Sequence, residues 1–246
     1  SKVTLVHNPA DLGGGGAYAG NTAFIVANST FSGNQSAKGG AIMFSQGPSS
    51  TYASVFSNVT IVENTLLTAN PAEADGIDAT FLGLGSLSLN NTILTGNGAR
   101  QCLGALTSTD GNIFANTTDC AISTQSGDQT SVTDAMLSPL MIDSASGYAA
   151  VHVPLAGSPA LNTGANGNCR DEDQRDVERL HDAGDPCDVG AVEGLALSLL
   201  INGSLEDSDA NKDPDGWVLN TLSNDKLKCV TPDAQPAVVG LCALKF

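Results

Sequence analysis

Over roughly the first 130 residues the apolar positions come in short bursts of about 4–6 residues, rich in Val, Ile, Thr and Phe and bounded by Gly or Asn. Val3-Thr-Leu-Val6, Gly39-Gly-Ala-Ile-Met-Phe44 and Gly76-Ile-Asp-Ala-Thr-Phe81 are examples. That is strand-and-turn chemistry. Helical spacing is absent from this stretch. Strands alternating with helices are absent too, which argues against a doubly wound α/β sheet.

The bursts repeat. Asn28-Ser-Thr-Phe-Ser-Gly-Asn34 returns as Asn58-Val-Thr-Ile-Val-Glu-Asn64 and as Asn91-Thr-Ile-Leu-Thr-Gly-Asn97. A looser copy is Asn112-Ile-Phe-Ala-Asn116, and a second word (Gly15-Gly-Ala-Tyr-Ala19, Gly39-Gly-Ala-Ile42, Gly104-Ala-Leu106) is interleaved. Repeats of this length predict stacked supersecondary units. Short strands per repeat predict a parallel β-solenoid whose coils stack at the ordinary strand spacing of about 4.8 Å. Equivalent residues then meet along the stack. Asn28, Asn58 and Asn91 are expected to form one corner ladder, and Asn34, Asn64 and Asn97 another, with amides bonding up and down the stack. Asn suits corners because it tolerates left-handed backbone. Phe31, Ile61 and Leu94 are expected to stack inside, with Ala41 and Ile42 on another inner face. A β-sandwich also uses many short strands, but its strands do not repeat one word in fixed register.

Composition adds a setting. The chain has 246 residues, 26 acids against 10 bases, and a net charge of -16. Phosphate and anionic membranes call for a Lys/Arg surface, so nucleic acid and acidic lipid are poor partners. No apolar run approaches the ~18 residues of a membrane span. The sequence opens inside patterned sequence, as a processed or excised chain does. Charge shifts along it: Lys2, Lys38 and Arg100 are the bases of residues 1–150, whereas the remainder is acidic and Pro-punctuated. The expected divisions are coils over 1–137, C-terminal coils and a cap over 138–194, and an acidic turn with a β tail over 195–246.

Six cysteines fall into three local pairs: Cys102 and Cys120, Cys169 and Cys187, Cys229 and Cys242. No C-x-x-C word is present, and His7, His152 and His181 lack ligand spacing, so zinc is not indicated. Local disulfides in an exported chain are the reading, although six cysteines allow 15 connectivities. Each bridge would close a loop worth about 3 kcal/mol in the chain-entropy account.

Residues 153–193 carry a chain of words: Val153-Pro-Leu-Ala-Gly-Ser-Pro-Ala-Leu-Asn-Thr-Gly164, Cys169, Asp173-Gln-Arg175, and Cys187-Asp-Val-Gly-Ala-Val-Glu193. Their order resembles the C-terminal end of extracellular right-handed parallel β-helix repeat proteins of the choice-of-anchor Q type. With the upstream coils the resemblance covers about residues 1–194. Asp176, Leu180 and Asn162 depart from that pattern. The resemblance implies a right-handed parallel β-helix in an exported surface protein, and supplies no catalytic set. From the residues themselves, Cys169 and Cys187 are expected to clip an acidic loop (Asp171, Glu172, Asp173, Asp176, Asp182, Asp185). Arg175 and Arg179 are expected to pair with acids there. A calcium site among these acids is the minor reading. Asp188–Glu193 is expected to be a final strand that closes the solenoid end, where open edges invite stacking.

Beyond it, Asp207, Asp209, Asn211, Asp213 and Asp215 alternate oxygen ligands in a turn suited to calcium. Lys212 and Val218 occupy the EF-hand positions of Gly and Glu, so this is not an EF-hand. The turn resembles the opening of extracellular β-sandwich modules, some of which bind carbohydrate. The tail is too short for a complete sandwich. It is expected to pack on the solenoid, to be completed by another chain through strand addition, or to belong to a truncated module.

Catalytic words are sparse. No basic residue of 1–150 lies beside an acidic cluster, as a polysaccharide lyase needs. Asp75 and Asp78 are the nearest to a glycosidase pair. No nucleophile elbow is present, and Gly13–Gly16 lacks the Lys-Ser/Thr of a phosphate loop. Trp217, Tyr18, Tyr52 and Tyr148 are the candidates for stacking on sugar. Sequons occur at Asn28, Asn34, Asn58, Asn90, Asn116 and Asn202, several at the repeated corner, taken as exposed. The expectation is a secreted or cell-surface, non-catalytic structural or adhesive protein. Head-to-tail self-association or other surface proteins would supply its partners, and calcium is the candidate cofactor. The alternative is a carbohydrate-binding or polysaccharide-degrading β-helix.

Overall fold

The computed structural model describes residues 2–117, 120–142, 150–179 and 186–194, and the strand backbones of 226–229 and 242–245. The chain divides into two compact units, Ser1–Gly194 and Leu195–Phe246.

The first unit is a parallel β-solenoid. Its first coil holds β1 (Thr4–Val6) and β2 (Pro9–Ala10). The second holds β3 (Ala17–Gly20), β4 (Ile25–Ser32) and β5 (Gln35–Ser36). The third holds β6 (Ile42–Ser45), β7 (Ala53–Val62) and β8 (Thr65–Leu66). The fourth holds β9 (Ile77–Phe81), β10 (Ser86–Asn90) and β11 (Ile93–Leu94). The fifth holds β12 (Cys102–Ser108) and β13 (Ile113–Phe114), and the sixth β14 (Cys120–Ser123) and β15 (Gln129–Thr130). All pairings among these strands are parallel, and no α-helix occurs among the described residues.

Register explains the repeats. Thr4, Thr30, Thr60, Ile93, Ile113 and Gln129 align in one row. Leu5, Phe31, Ile61, Leu94, Phe114 and Thr130 align in the next. Successive coils measured between bonded corner residues take 26, 30, 33, 20 and 16 residues, so the solenoid tightens toward its last coil. Because side chains alternate across a strand, the second row points inward and the first outward. Phe31, Ile61, Leu94 and Phe114 are fully buried in one core with Ile42, Phe44, Phe56, Ile77 and Leu89. Phe24 stands edge-on to Phe56 and Phe44, with centroids 5.7 and 6.5 Å away. Cys102 and Cys120 are joined across neighbouring strands β12 and β14.

Two lines of left-handed residues turn the corners. Asn28, Asn58 and Asn91 have φ of 47, 54 and 44°. His7, Gly33, Glu63 and Gly96 have φ of 51, 64, 60 and 65°. One residue after the second line stand Asn8, Asn34, Asn64 and Asn97, and here the amides form a continuous ladder. Asn8 Nδ2 donates to Asn34 Oδ1 (2.9 Å), Asn34 Nδ2 to Asn64 Oδ1 (2.9 Å), and Asn64 Nδ2 to Asn97 Oδ1 (2.8 Å). Gln101 Oε1 ends it, accepting from Asn97 Nδ2 at 2.9 Å. The expected ladder along Asn28, Asn58 and Asn91 does not form. Those residues stack in register, but Asn28 and Asn91 bond to backbone at Glu172 and Ala165, and neither amide atom of Asn58 is bonded. The looser copy also differs. Ile113 aligns with Ile93, so Asn112 falls opposite Thr92 and its Oδ1 accepts from the Thr92 N–H (2.9 Å).

After β15 the chain crosses the outward face of the row from Thr4 to Gln129. β16 (Met141–Ile142) pairs antiparallel with β17 (Ala150–Val151). Val62, Ile93 and Ile113, on the solenoid's outer face, form a second core with Ala135, Ala160 and Val189 of this strap. Asp188–Glu193 is therefore not a closing strand. It has no strand structure, and it lies against the side of the stack: Ala191 N–H donates to Thr60 Oγ1 (3.0 Å) and Gly190 N–H to the Asn91 carbonyl (2.8 Å). Gly190, at φ 98°, fits because a Cβ there would come within 2.7 Å of Ile93 and 2.8 Å of Thr60.

In the second unit β18 (Lys226–Cys229) and β19 (Cys242–Lys245) pair antiparallel, with Cys229 opposite Cys242.

Candidate functional site: the strap latch and its cleft

The strap is held by a buried ionic cluster drawn from the Asp173-Gln-Arg175 and Cys187–Glu193 words. Asp173, Arg175, Arg179, Asp188 and Glu193 are all buried. Asp173 Oδ2 accepts from Arg175 Nε and Nη2 (2.9 and 2.7 Å) and from the Glu193 N–H (2.9 Å). Arg179 Nη1 donates to Glu193 Oε2 (3.0 Å), and its Nη2 donates to the Gly190 carbonyl (2.8 Å) and to Asn28 Oδ1 (3.3 Å). Through Asn28 the cluster reaches the solenoid corner. Asp188 accepts from the Asn162 and Gly194 N–H groups (2.7 and 2.5 Å). Burial pushes Asp188 up to about 6, and Glu193 adds to this, against the pull of those two N–H bonds and of Arg179. Burial also lowers Arg179 from its ordinary value, against Glu193, Asp173 and Asp188.

Two of the corner asparagines bond to the strap rather than to each other. Asn28 Nδ2 donates to the Glu172 carbonyl (2.7 Å), and Asn91 Oδ1 accepts the Ala165 N–H (2.7 Å). Asn58 lies between them, fully buried, with neither amide atom bonded. Thr30 Oγ1 donates to Gln174 Oε1 (2.6 Å). Cys169 and Cys187 are joined and close the acidic loop. Within that loop Lys2 pairs with Glu172 (2.8 Å) and with Asp176. Among the described residues no group of acids, His or Cys is arranged to hold a metal, and Asp182 and Asp185 of this loop lie outside them.

Beside the latch lies a cleft of about 120 Å3, lined by residues that include Glu63, Thr95, Asp134, Ser138 and His152. His152 is buried. Its Nδ1 meets the Ser138 carbonyl at 2.7 Å, an acceptor, so this nitrogen carries a proton. Its Nε2 meets Ser32 Oγ at 2.8 Å, and Ser32 lies 3.1 Å from Glu63 Oε2. The serine is fully buried and stands between histidine and carboxylate. A hydrolytic triad needs the histidine between serine and carboxylate, and an accessible hydroxyl. Sequence gave no signal for this group, since Ser32 and His152 lie 120 residues apart.

Protein-family models, curated proteins and solved structures were compared with the chain, and none matches.

The remaining sequence candidates are dispersed. Asp75 is buried and spent on backbone, accepting the Leu66 and Arg100 N–H groups (3.0 and 2.8 Å). Asp78 Oδ1 accepts the Thr80 N–H (2.9 Å). Tyr18 and Tyr52 are exposed on the solenoid surface. Asp207, Asp209, Asn211, Asp213, Asp215, Trp217 and Tyr148 lie outside the described residues.

The sequons need correction. Asn28, Asn34 and Asn58 are buried, because the corner is covered by the strap or occupied by the ladder. Asn90 and Asn116 are partly exposed, and Asn202 lies outside the described residues. Expressed in a glycosylating host, the folded protein should carry glycan within the solenoid at Asn90 or Asn116 only. Peptide mass mapping checks this, and glycan at Asn34 or Asn58 would contradict the fold.

Proposed function

We propose that this is a non-catalytic structural or adhesive protein of the cell exterior, joined to its neighbours through the ends of its solenoid. One observation carries the reading. One side of the stack is covered by the strap, whereas β14 and β15 of the last coil each pair along one edge only among the described residues. Open parallel edges in a rigid stack favour heterologous, end-to-end contact. Disulfides support an oxidising compartment, and no helix among the described residues is long and apolar enough to cross a membrane. The words shared with choice-of-anchor Q proteins support the same setting. Calcium at Asp207–Asp215 would act as a stabiliser of the tail.

Light scattering and electron microscopy of the purified native protein, with calcium and with chelator, test this. Ordered end-to-end oligomers are expected, and chelator sensitivity would implicate the acidic turn. A monodisperse species of about 25 kDa in both conditions, with no affinity for other solenoid coils, would overturn the reading. A polysaccharide ligand found on a glycan array would replace it by the carbohydrate-binding alternative.

A further inference from the structure

Four groups from distant parts of the chain stand in one line between strap and solenoid. The Ser138 carbonyl accepts from His152 Nδ1 (2.7 Å), His152 Nε2 meets Ser32 Oγ (2.8 Å), and Ser32 Oγ meets Glu63 Oε2 (3.1 Å). Ser138 and His152 belong to the strap, Ser32 and Glu63 to the solenoid. Nε2 and Oε2 are themselves 3.9 Å apart. Ser32 and His152 are buried, whereas Glu63 is exposed and lines the cleft. Glu63 holds φ of 60° on the line where neighbouring coils place Gly33 and Gly96. Gly adopts left-handed backbone freely and Glu does not. The bond from Ser32 gives that corner a reason to carry a carboxylate.

The line is one hydrogen short. A hydroxyl has a single hydrogen, and a neutral imidazole has a single N–H. The Ser138 carbonyl takes the imidazole hydrogen at Nδ1, which leaves Nε2 bare. Nε2 and an ionised Glu63 then compete for the one Ser32 hydrogen, and the loser faces an oxygen lone pair. One added proton completes the line in either of two ways. On Nε2 it bonds to Ser32 Oγ and leaves the Ser32 hydrogen for Glu63. On Glu63 it bonds to Ser32 Oγ and leaves the Ser32 hydrogen for Nε2. The proton belongs to the pair rather than to one residue. Two other titratable groups stand close by. Asp134 lines the cleft and accepts the Met136 N–H (2.7 Å). His7 lies against Gly33, the residue after Ser32. Among the described residues no Lys or Arg lines the cleft.

We propose that this line is a proton-operated clasp between strap and solenoid. With one shared proton, every contact from Ser138 to Glu63 is a hydrogen bond. Without it, one contact is lost. The proton-bound form is favoured at low pH, so the clasp tightens as pH falls and loosens as pH rises. The cleft brings solvent to Glu63, which gives the proton its route. The clasp sits at the apolar seam where Val62, Ile93 and Ile113 of the solenoid pack on Ala135 and Leu137 of the strap. Val62, Ala135 and Leu137 also line the cleft, so loosening is felt at this seam first. The inference is independent of how the solenoid attaches to its neighbours.

Hydrogen exchange at the Ser138 and Val153 amides reads the clasp, because they pair beside His152. Ser138 N–H donates to the Val153 carbonyl (2.8 Å), and Val153 N–H donates to Ser138 Oγ (2.9 Å). Protection factors, which remove the intrinsic pH dependence of exchange, are compared at about pH 5 and about pH 8, the span of histidine switches. In the native protein both amides should be about tenfold better protected at the lower pH, the worth of one charge-assisted hydrogen bond. Glu63→Gln is the deciding variant. Its amide donates to Ser32 without an added proton, so protection should be high and equal at both pH values. Ser32→Ala cuts the line, so protection should be low and equal at both. Asp188→Asn silences the group beneath the strap whose titration is displaced by burial, and the tenfold difference should remain. Native circular dichroism qualifies each variant, and if Ser32→Ala does not fold, the native protein and Glu63→Gln still decide. Equal protection at the two pH values in the native protein overturns the inference. So does a difference that survives in Glu63→Gln, or one that vanishes in Asp188→Asn.

Discussion

Asn64→Ala should lower unfolding stability by about 3–5 kcal/mol, whereas Asn8→Ala should cost about 1 kcal/mol or less, because buried polar groups left unbonded are penalised and exposed ones are not. Asn64 is fully buried in mid-ladder. Truncation strips the acceptor from the Asn34 N–H and Nδ2–H, and the donor from Asn97 Oδ1 and from the Phe31 and Val62 carbonyls. All of these residues are buried inside the solenoid. Asn8, at the exposed end, leaves its neighbours within reach of solvent. Urea unfolding with unchanged slope measures both. Equal losses at the two sites would mean that the ladder follows the coil and does not hold it.

How much of this was legible follows from which contacts repeat. In a parallel stack, equivalent positions meet, so three copies of one word were enough to place Asn34, Asn64 and Asn97 in one ladder and Phe31, Ile61 and Leu94 in one core row. Asn8 belongs to the same ladder, and the spacing from Thr4 matches Thr30 to Asn34. The word is masked there because Lys2 stands where the other coils begin with Asn. The sibling line Asn28, Asn58 and Asn91 misleads for a physical reason. Sequence predicts a corner but not what its amides bond, and those of Asn28 and Asn91 bond to the strap. The strap occurs once and has no period, so its words could suggest a cap yet not say that it covers a side of the stack. The same holds for His152 and Ser32, joined only by tertiary packing.

Arg179→Ala carries the other large expected effect. Removing one partner of a buried ion pair leaves the other charge uncompensated, which costs about 3–5 kcal/mol. Here Arg179 faces Glu193 directly, and Asp173 and Asp188 lie close enough to act on it. The loss should depend on pH with a definite sign. Asp188 is raised by burial from 3.8 to about 6, so folding takes up a proton between those values. Its stabilising contribution is complete below about 3.8 and is lost as pH rises through about 6. The native protein should therefore lose some stability from this group between pH 5 and 7.5. Without the guanidinium, Asp188 shifts further up, so Arg179→Ala should be worst at pH 7.5 and partly recover at pH 5, where protonation of Asp188 does the work of the missing cation. Asp188→Asn should flatten the native dependence, because its amide does not titrate. Replacing Arg179 and Glu193 together by Met and Gln should restore much of what the single change removes. The strap would then keep its apolar hold on Val62, Ile93 and Ile113 with one fewer buried charge pair. A loss that is the same at both pH values would show that Arg179 acts by filling space, and that the acids beneath the strap are not what it balances.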